Sequence, residues 1–131
     1  MSNTDIALIV LTVLFVKHFI CDFIYQTPFM LQNKGEYGHP GGVLHAAVHG
    51  FGTLISFFAV FACLGGLTFL LLIPCIVLGA LDALIHYHVD WLKVKFSKGL
   101  TPADHSFWVF MGADQLAHAL TYLILVAACV A

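Results

Sequence analysis

His and Asp residues spaced four apart recur at four places in this chain. They are His18–Asp22 with Gln26 one step further on, His45–His49, Asp82–His86–Asp90, and Asp114–His118 with Gln115 beside the aspartate. Four residues is just over one helical turn, so the members of each group stand one above another on a single helix face. Imidazole and carboxylate are the usual protein ligands of zinc, manganese and iron. The chemistry this set could support is therefore that of a metal centre, which polarises a substrate and lowers the pKa of a bound water. The nine candidate ligands are His18, Asp22, His45, His49, Asp82, His86, Asp90, Asp114 and His118. That number exceeds the needs of one ion and points to a divalent metal (zinc, manganese or iron) at up to two per chain, with Asp90 an alternative orienting residue. A di-iron carboxylate bundle would lead with Glu and a Glu-x-x-His motif. The only glutamate is Glu36, and the motif is absent, so the set leans toward hydrolytic zinc or manganese chemistry.

The elements that must position these residues are membrane helices. The chain has 131 residues, 61% of them hydrophobic, with five Lys, no Arg and a net charge of −2, and a mean hydropathy of +0.98. A soluble domain is nearer half apolar and a quarter charged, and the charge balance excludes a broad basic surface for nucleic acid. A spanning helix needs ~20 mostly apolar residues, and four stretches qualify: 6–26, 43–64, 67–91 with Pro74 as an expected kink, and 112–131. Together they predict an all-α, integral membrane four-helix bundle in one domain. The N-terminal MSNTD has no Lys or Arg and no cleavage site follows the first run, so no signal peptide is expected. Cys21, Cys63, Cys75 and Cys129 lie singly in apolar runs and read as small buried apolar residues.

Two longer connections, 28–42 and 92–111, each contain a Thr-Pro start signal, Thr27-Pro28 and Thr101-Pro102. Each predicts a short helix in the membrane interface, the second with Asp104 near its start and Phe107, Trp108, Phe110 and Met111 following. Lys34, Lys93, Lys95 and Lys98 all fall in these connections, and Lys17 lies toward the same end of the first span. The positive-inside rule makes that face cytoplasmic and both termini extracytoplasmic, with Trp91 an interfacial anchor. Of the remaining histidines, His88 is expected to point away from the cluster, and His39 and His105 to be solvated in loops. Lys17 has two readings: a snorkelling headgroup contact, or a side chain that faces the site and binds an anionic group.

Depth decides whether the four groups meet. Counted from the opposite end of each helix at ~1.5 Å per residue, the inner member of each pair lies about 18–22 Å deep and the outer about 24–28 Å. The four groups therefore share one slab near the lysine-bearing face. Ionisable residues inside spans are costly and mark function by default; the alternative is a structural Asp–His network without metal. The halves also repeat. His18 to His49 is 31 positions and His86 to His118 is 32; Asp22 to His49 is 27 and Asp90 to His118 is 28. This suggests two duplicated helical hairpins related by an axis along the membrane normal, with the site between them.

His18-x3-Asp22-x3-Gln26, Met30, Lys34, His45-x3-His49, Asp82-x3-His86-x3-Asp90-x2-Lys93 and Asp114-Gln115-x2-His118 together span nearly the whole chain. On this pattern the chain resembles a bacterial and phage membrane family known as domain of unknown function 3307, a resemblance that implies little about activity. More loosely, it is similar to inner-membrane proteins described as metal-dependent hydrolases. The expected function is a membrane-embedded, metal-dependent hydrolase acting on a phosphoester or lipid-like substrate. Gln26, Gln115, Lys17, Lys34 and Lys93 would orient ligands or attract the anion. The alternatives are an iron-dependent oxidoreductase at the same ligands, a metal or proton transporter, and a non-enzymatic scaffold. The almost wholly apolar far halves of the spans, Ile6–Val16 and Leu120–Ala131, which hold only Thr12, Thr121 and Tyr122 as polar residues, argue against transport by a monomer. The expected partners are the lipid bilayer, an anionic substrate and, given the small size, a second copy of the chain.

Overall fold

The computed structural model describes residues 1–65 and 69–130. Four long helices carry the fold: α1 (Asn3–Phe19), α3 (Pro40–Cys63), α4 (Leu72–Phe96) and α5 (His105–Val130), with a short α2 (Pro28–Asn33) between the first two. Of these, α3, α4 and α5, and α1 together with the turn that continues it to Ile24, are long and apolar enough to cross a membrane. They close in a ring, α1 against α3, α3 against α4, α4 against α5 and α5 back against α1. The distribution of side chains is that of an integral membrane protein. Phe15, Phe19, Leu84, Leu116 and Ile124 face outward, while His45, His49, Asp82, His86, Asp90 and His118 are buried.

Local sequence sets most helix ends. Ser2 and Asp5 form a reciprocal capping box at the start of α1. The Thr27 hydroxyl accepts the Met30 amide with Pro28 at the first position of α2, as the Thr-Pro signal predicts. At the second Thr-Pro the outcome differs. The Thr101 amide and hydroxyl both donate to the Asp104 carboxylate, at 2.7 and 2.8 Å, and hold its pKa below the usual carboxylate range. The intervening residues make a turn and no separate interfacial helix. Phe107, Trp108, Phe110 and Met111 instead form the opening turns of α5, which begins seven residues before the predicted 112. The signal was for a helix start, and this helix continues into the span. Pro74 is likewise corrected: it lies in the first turn of α4, where its missing amide breaks no intrahelical bond, and it is no mid-span kink. The expected start at Leu67 lies outside the described residues; a 3₁₀ turn over Phe69–Leu71 leads into α4. Gly65, with φ +78°, takes the left-handed position that ends α3.

Within lipid, helices associate by close packing more than by hydrophobic drive. The tightest crossing is between α3 and α4. A Cβ on Gly50 would lie 2.5 Å from the Gly79 carbonyl oxygen, and one on Gly79 would lie 2.5 Å from the Gly50 carbonyl oxygen. This crossing sits one residue from His49 and about two helical turns from His86, so it sets their approach. Gly79→Ala should therefore destabilise the protein by about 1–3 kcal/mol through overpacking, even though Ala favours a helix by about 1 kcal/mol over Gly. Thermal unfolding in detergent reads this, and an unchanged or raised midpoint would show that the crossing is not tight.

Candidate metal centre

The site is built where α1, α3, α4 and α5 face one another near the lysine-bearing end. The last turn of the first span is a π turn over Ile20–Ile24, closed by the Tyr25 amide on the Ile20 carbonyl at 2.8 Å. Single π turns often mark functional positions. Here the turn carries Asp22, whose carboxylate reaches across to α3 and α4. Its Oδ1 lies 3.0 Å from His49 Nε2, 3.1 Å from His45 Nε2 and 3.8 Å from His86 Nε2. His45 and His86 also face each other, Nε2 to Nε2, at 3.2 Å.

A second convergence lies beside the first. His118 Nε2 is 3.6 Å from Asp90 Oδ1 and 3.5 Å from Asp114 Oδ1. Asp90 Oδ2 approaches His45 Nε2 at 3.1 Å and His86 Nε2 at 3.5 Å. His86 lies between the two convergences, its ring stacked on His49 at 3.6 Å and on His118 at 4.1 Å.

Hydrogen bonding alone satisfies this arrangement badly. Three imidazole nitrogens aim at one carboxylate oxygen, which has two lone pairs. Despite their near approaches, both Asp90 oxygens, Asp114 Oδ1 and His118 Nε2 are buried without an aligned hydrogen-bond partner. Buried polar atoms are seldom left in that state. A cation among the lone pairs would satisfy them together. Ligands held ~2.0–2.1 Å from a tetrahedral ion are about 3.4 Å apart, and the separations here bracket that value. The residue groups able to hold an ion are Asp22, His45, His49 and His86; Asp90, Asp114 and His118; and His18, His86 and His118. Eight of the nine sequence candidates thus come together.

His18 differs from the others because both of its ring nitrogens are engaged. Nδ1 meets the Tyr122 hydroxyl at 2.9 Å, and Nε2 meets Gln115 Oε1 and Asp22 Oδ2, each at 3.2 Å. That geometry suits a residue that orients Asp22. No residue braces His45, His49 and His86 from behind, since their Nδ1 atoms have no hydrogen-bond partner; stacking and helix position fix their rings.

Asp82, the ninth candidate, stands apart. It lies a turn deeper, with Oδ2 2.9 Å from Lys17 Nζ and accepting the Thr53 hydroxyl. Lys17 therefore does not snorkel to the headgroups: its ammonium is held inside the bundle, a turn behind the cavity that Asp22 and Asp114 line. It is buried, and its ammonium also donates to the Tyr122 hydroxyl at 2.9 Å and the His49 carbonyl at 3.4 Å. Thr53 and Tyr122, both fully buried, were not singled out from the sequence. The signal was there: Thr53 follows His49, and Tyr122 follows His118, by the same step of four.

The remaining candidates form the mouth. A cavity of about 300 Å³ is lined by Asp22, Gln26, Lys34, Lys93, Asp114 and Gln115, among others. Lys34, at the end of α2, is buried with Nζ 3.2 Å from Asp90 Oδ2. Gln26 donates to the Asp22 carbonyl and Gln115 to Asp114. His88 points away, bound to the Leu84 carbonyl and the Tyr37 hydroxyl. His39 caps α3 by accepting the Gly41 amide.

The contacts also repeat between halves. Asp22 meets His49 as Asp90 meets His118, and His18–Asp22 at 3.2 Å parallels His86–Asp90 at 3.5 Å.

Fold and site together define a small integral membrane bundle with a buried His/Asp cluster opening at one end. The chain belongs to the family described as "Protein of unknown function (DUF3307)", whose model matches residues 10–131. No curated protein and no solved structure matches it.

Proposed function

We propose that this protein is a membrane-embedded, metal-dependent hydrolase acting on a phosphoester at the cytoplasmic face of a bacterial inner membrane, with both termini outside. The observation that carries the reading is the joining of two ligand clusters to one cavity whose rim holds Lys34 and Lys93. Asp22, His45, His49 and His86 would hold one divalent ion, and Asp90, Asp114 and His118 a second. Bound there, such ions supply Lewis-acid polarisation and a water of lowered pKa.

The chain's own residues do the rest. Lys93 attracts and orients an anionic group at the rim. Lys34 offsets the charge of Asp90. Gln26, bonded to the Asp22 carbonyl, and Gln115, bonded to Asp114 and His18, orient the residues that would hold the ions. Tyr122 and His18 hold Asp22 in place from behind. The orientation rests on the lysines at the cavity end.

The test is turnover of a phosphomonoester, phosphodiester and carboxylester panel by protein loaded with zinc, manganese or iron, compared with the same protein after chelation. Metal-dependent release of product from one class supports the reading. A metal-replete protein inert toward all three sinks it. Iron with visible absorbance and no hydrolysis would favour the oxidoreductase alternative.

A further inference from the structure

The polar cavity does not end at its rim. Two of its lining residues, Lys93 and Asp114, also line a second cavity of about 290 Å³ between α4 and α5. The rest of that cavity is apolar: Val89, Leu92, Phe96, Phe110, Ala113 and Ala117. It is a groove between two helices of membrane-spanning length, and Leu92, Phe96 and Ala113 along it are exposed. The two cavities thus share a wall at Lys93 and Asp114: one is charged and carboxamide-lined, beside the ligand clusters, and the other is an apolar groove between helices of membrane-spanning length.

From this adjacency we propose that the substrate is a membrane amphiphile with a phosphate headgroup. Its head is held in the cavity at Lys34 and Lys93, and its chain lies in the groove between α4 and α5. The inference deepens the hydrolase reading and rests on it for the reaction, though not for the binding. Charge selects the head: Lys93 faces the space, and Lys34 behind it is paired with Asp90. The Asp22 and Asp114 carboxylates on the same wall are among the groups that would hold the ions, so a phosphate ester carries the charge complementary to the loaded site. The groove selects a membrane source over a soluble phosphoester. A chain already in the bilayer gains no hydrophobic free energy by entering it, because lipid tails are as apolar as the groove. The groove instead fixes the direction of approach: the ligand slides in sideways, with its head level with Asp114. The small side chains of Ala113 and Ala117 keep that path open.

The test uses the full chain in phosphatidylcholine nanodiscs containing hexadecyl phosphate with a diazirine in mid-chain, read by peptide mass spectrometry after illumination. Labelling is expected to concentrate on the 89–96 and 110–117 segments. Unlabelled hexadecyl phosphate should compete, and hexadecanol should not. Ala113→Trp should lower the labelling about tenfold, the equivalent of a ~1.4 kcal/mol loss. Leu116→Trp, on the same helix but outside the groove, should leave it unchanged. Equal melting temperatures and metal content in both variants would show that the fold is intact.

Labelling spread evenly over all lipid-facing helices overturns the proposal. So does equal competition by hexadecanol, or by butyl phosphate at the same concentration, which would mean that the chain or the head alone is recognised. Because labelling reads binding, it stands or falls separately from turnover. Specific labelling without hydrolysis would retain the lipid site and remove the enzyme, and hydrolysis of soluble phosphoesters without labelling would do the reverse.

Discussion

His86→Ala should strip the protein of its bound metal, by tenfold or more at both positions. Its imidazole stands between the two ligand groups: Nε2 lies 3.2 Å from His45 Nε2 and 3.5 Å from Asp90 Oδ2, and its ring is sandwiched between His49 and His118. Removing it takes a ligand from one group and the spacer that holds the other in register. Loss of partners around a metal ligand already costs about 10–100-fold, so loss of the ligand itself should cost at least as much. The deletion also leaves a cavity lined by carboxylates, and a fall in stability of about 2–4 kcal/mol is expected from cavity and desolvation together. Elemental mass spectrometry reads the first effect and detergent unfolding the second. His88→Ala is the contrast, because His88 points away from the ligand groups: it should retain metal. If His86→Ala binds as much metal as the parent, the two clusters are not a metal centre.

The second large effect lies one layer deeper. Lys17→Met leaves Asp82 as a buried carboxylate within a membrane span, with only the Thr53 hydroxyl as a donor. Breaking one partner of a buried ion pair costs about 3–5 kcal/mol, because the other charge is left uncompensated. The double variant Lys17→Met, Asp82→Asn removes both charges and keeps an acceptor for Thr53, so it should recover most of that loss. The non-additivity is the diagnostic. Unfolding midpoints of the two single variants and the double variant provide it. A double variant as unstable as the sum of the singles would show that Lys17 and Asp82 act independently. The pair also underlies the site, since Lys17 holds Tyr122, which in turn holds His18 and through it Asp22.

The four spans and the slab of His and Asp residues were legible because both follow from periodicity. Apolar length marks the spans, and a step of four marks one helix face, so counting along each helix places the groups at one depth. The boundaries shifted where a local signal meant something narrower than it first suggested. Thr101 and Asp104 mark a turn that leads straight into α5, and Pro74 a first turn. What periodicity does not carry is azimuth. Asp82 shares a helix face with His86 and Asp90, yet only the packing of α1 against α3 and α5 decides that Lys17 reaches Asp82. The π turn at Ile20–Ile24 has no sequence signature of its own, because any apolar helix end can widen when tertiary contacts draw a side chain inward. Thr53 and Tyr122 were legible in principle, as further steps of the same period, but a single hydroxyl in an apolar span is usually satisfied by its own helix. Thr12, bonded to the Leu8 carbonyl, behaves in that way.

The most direct measurement is the metal content of the unaltered protein, purified in mild detergent without chelator and under anaerobic conditions. One or two zinc, manganese or iron ions per chain is the predicted result, and two would match the paired clusters. A folded protein that holds no metal, even after anaerobic reloading, would contradict the metal centre and leave these histidines and aspartates a structural network.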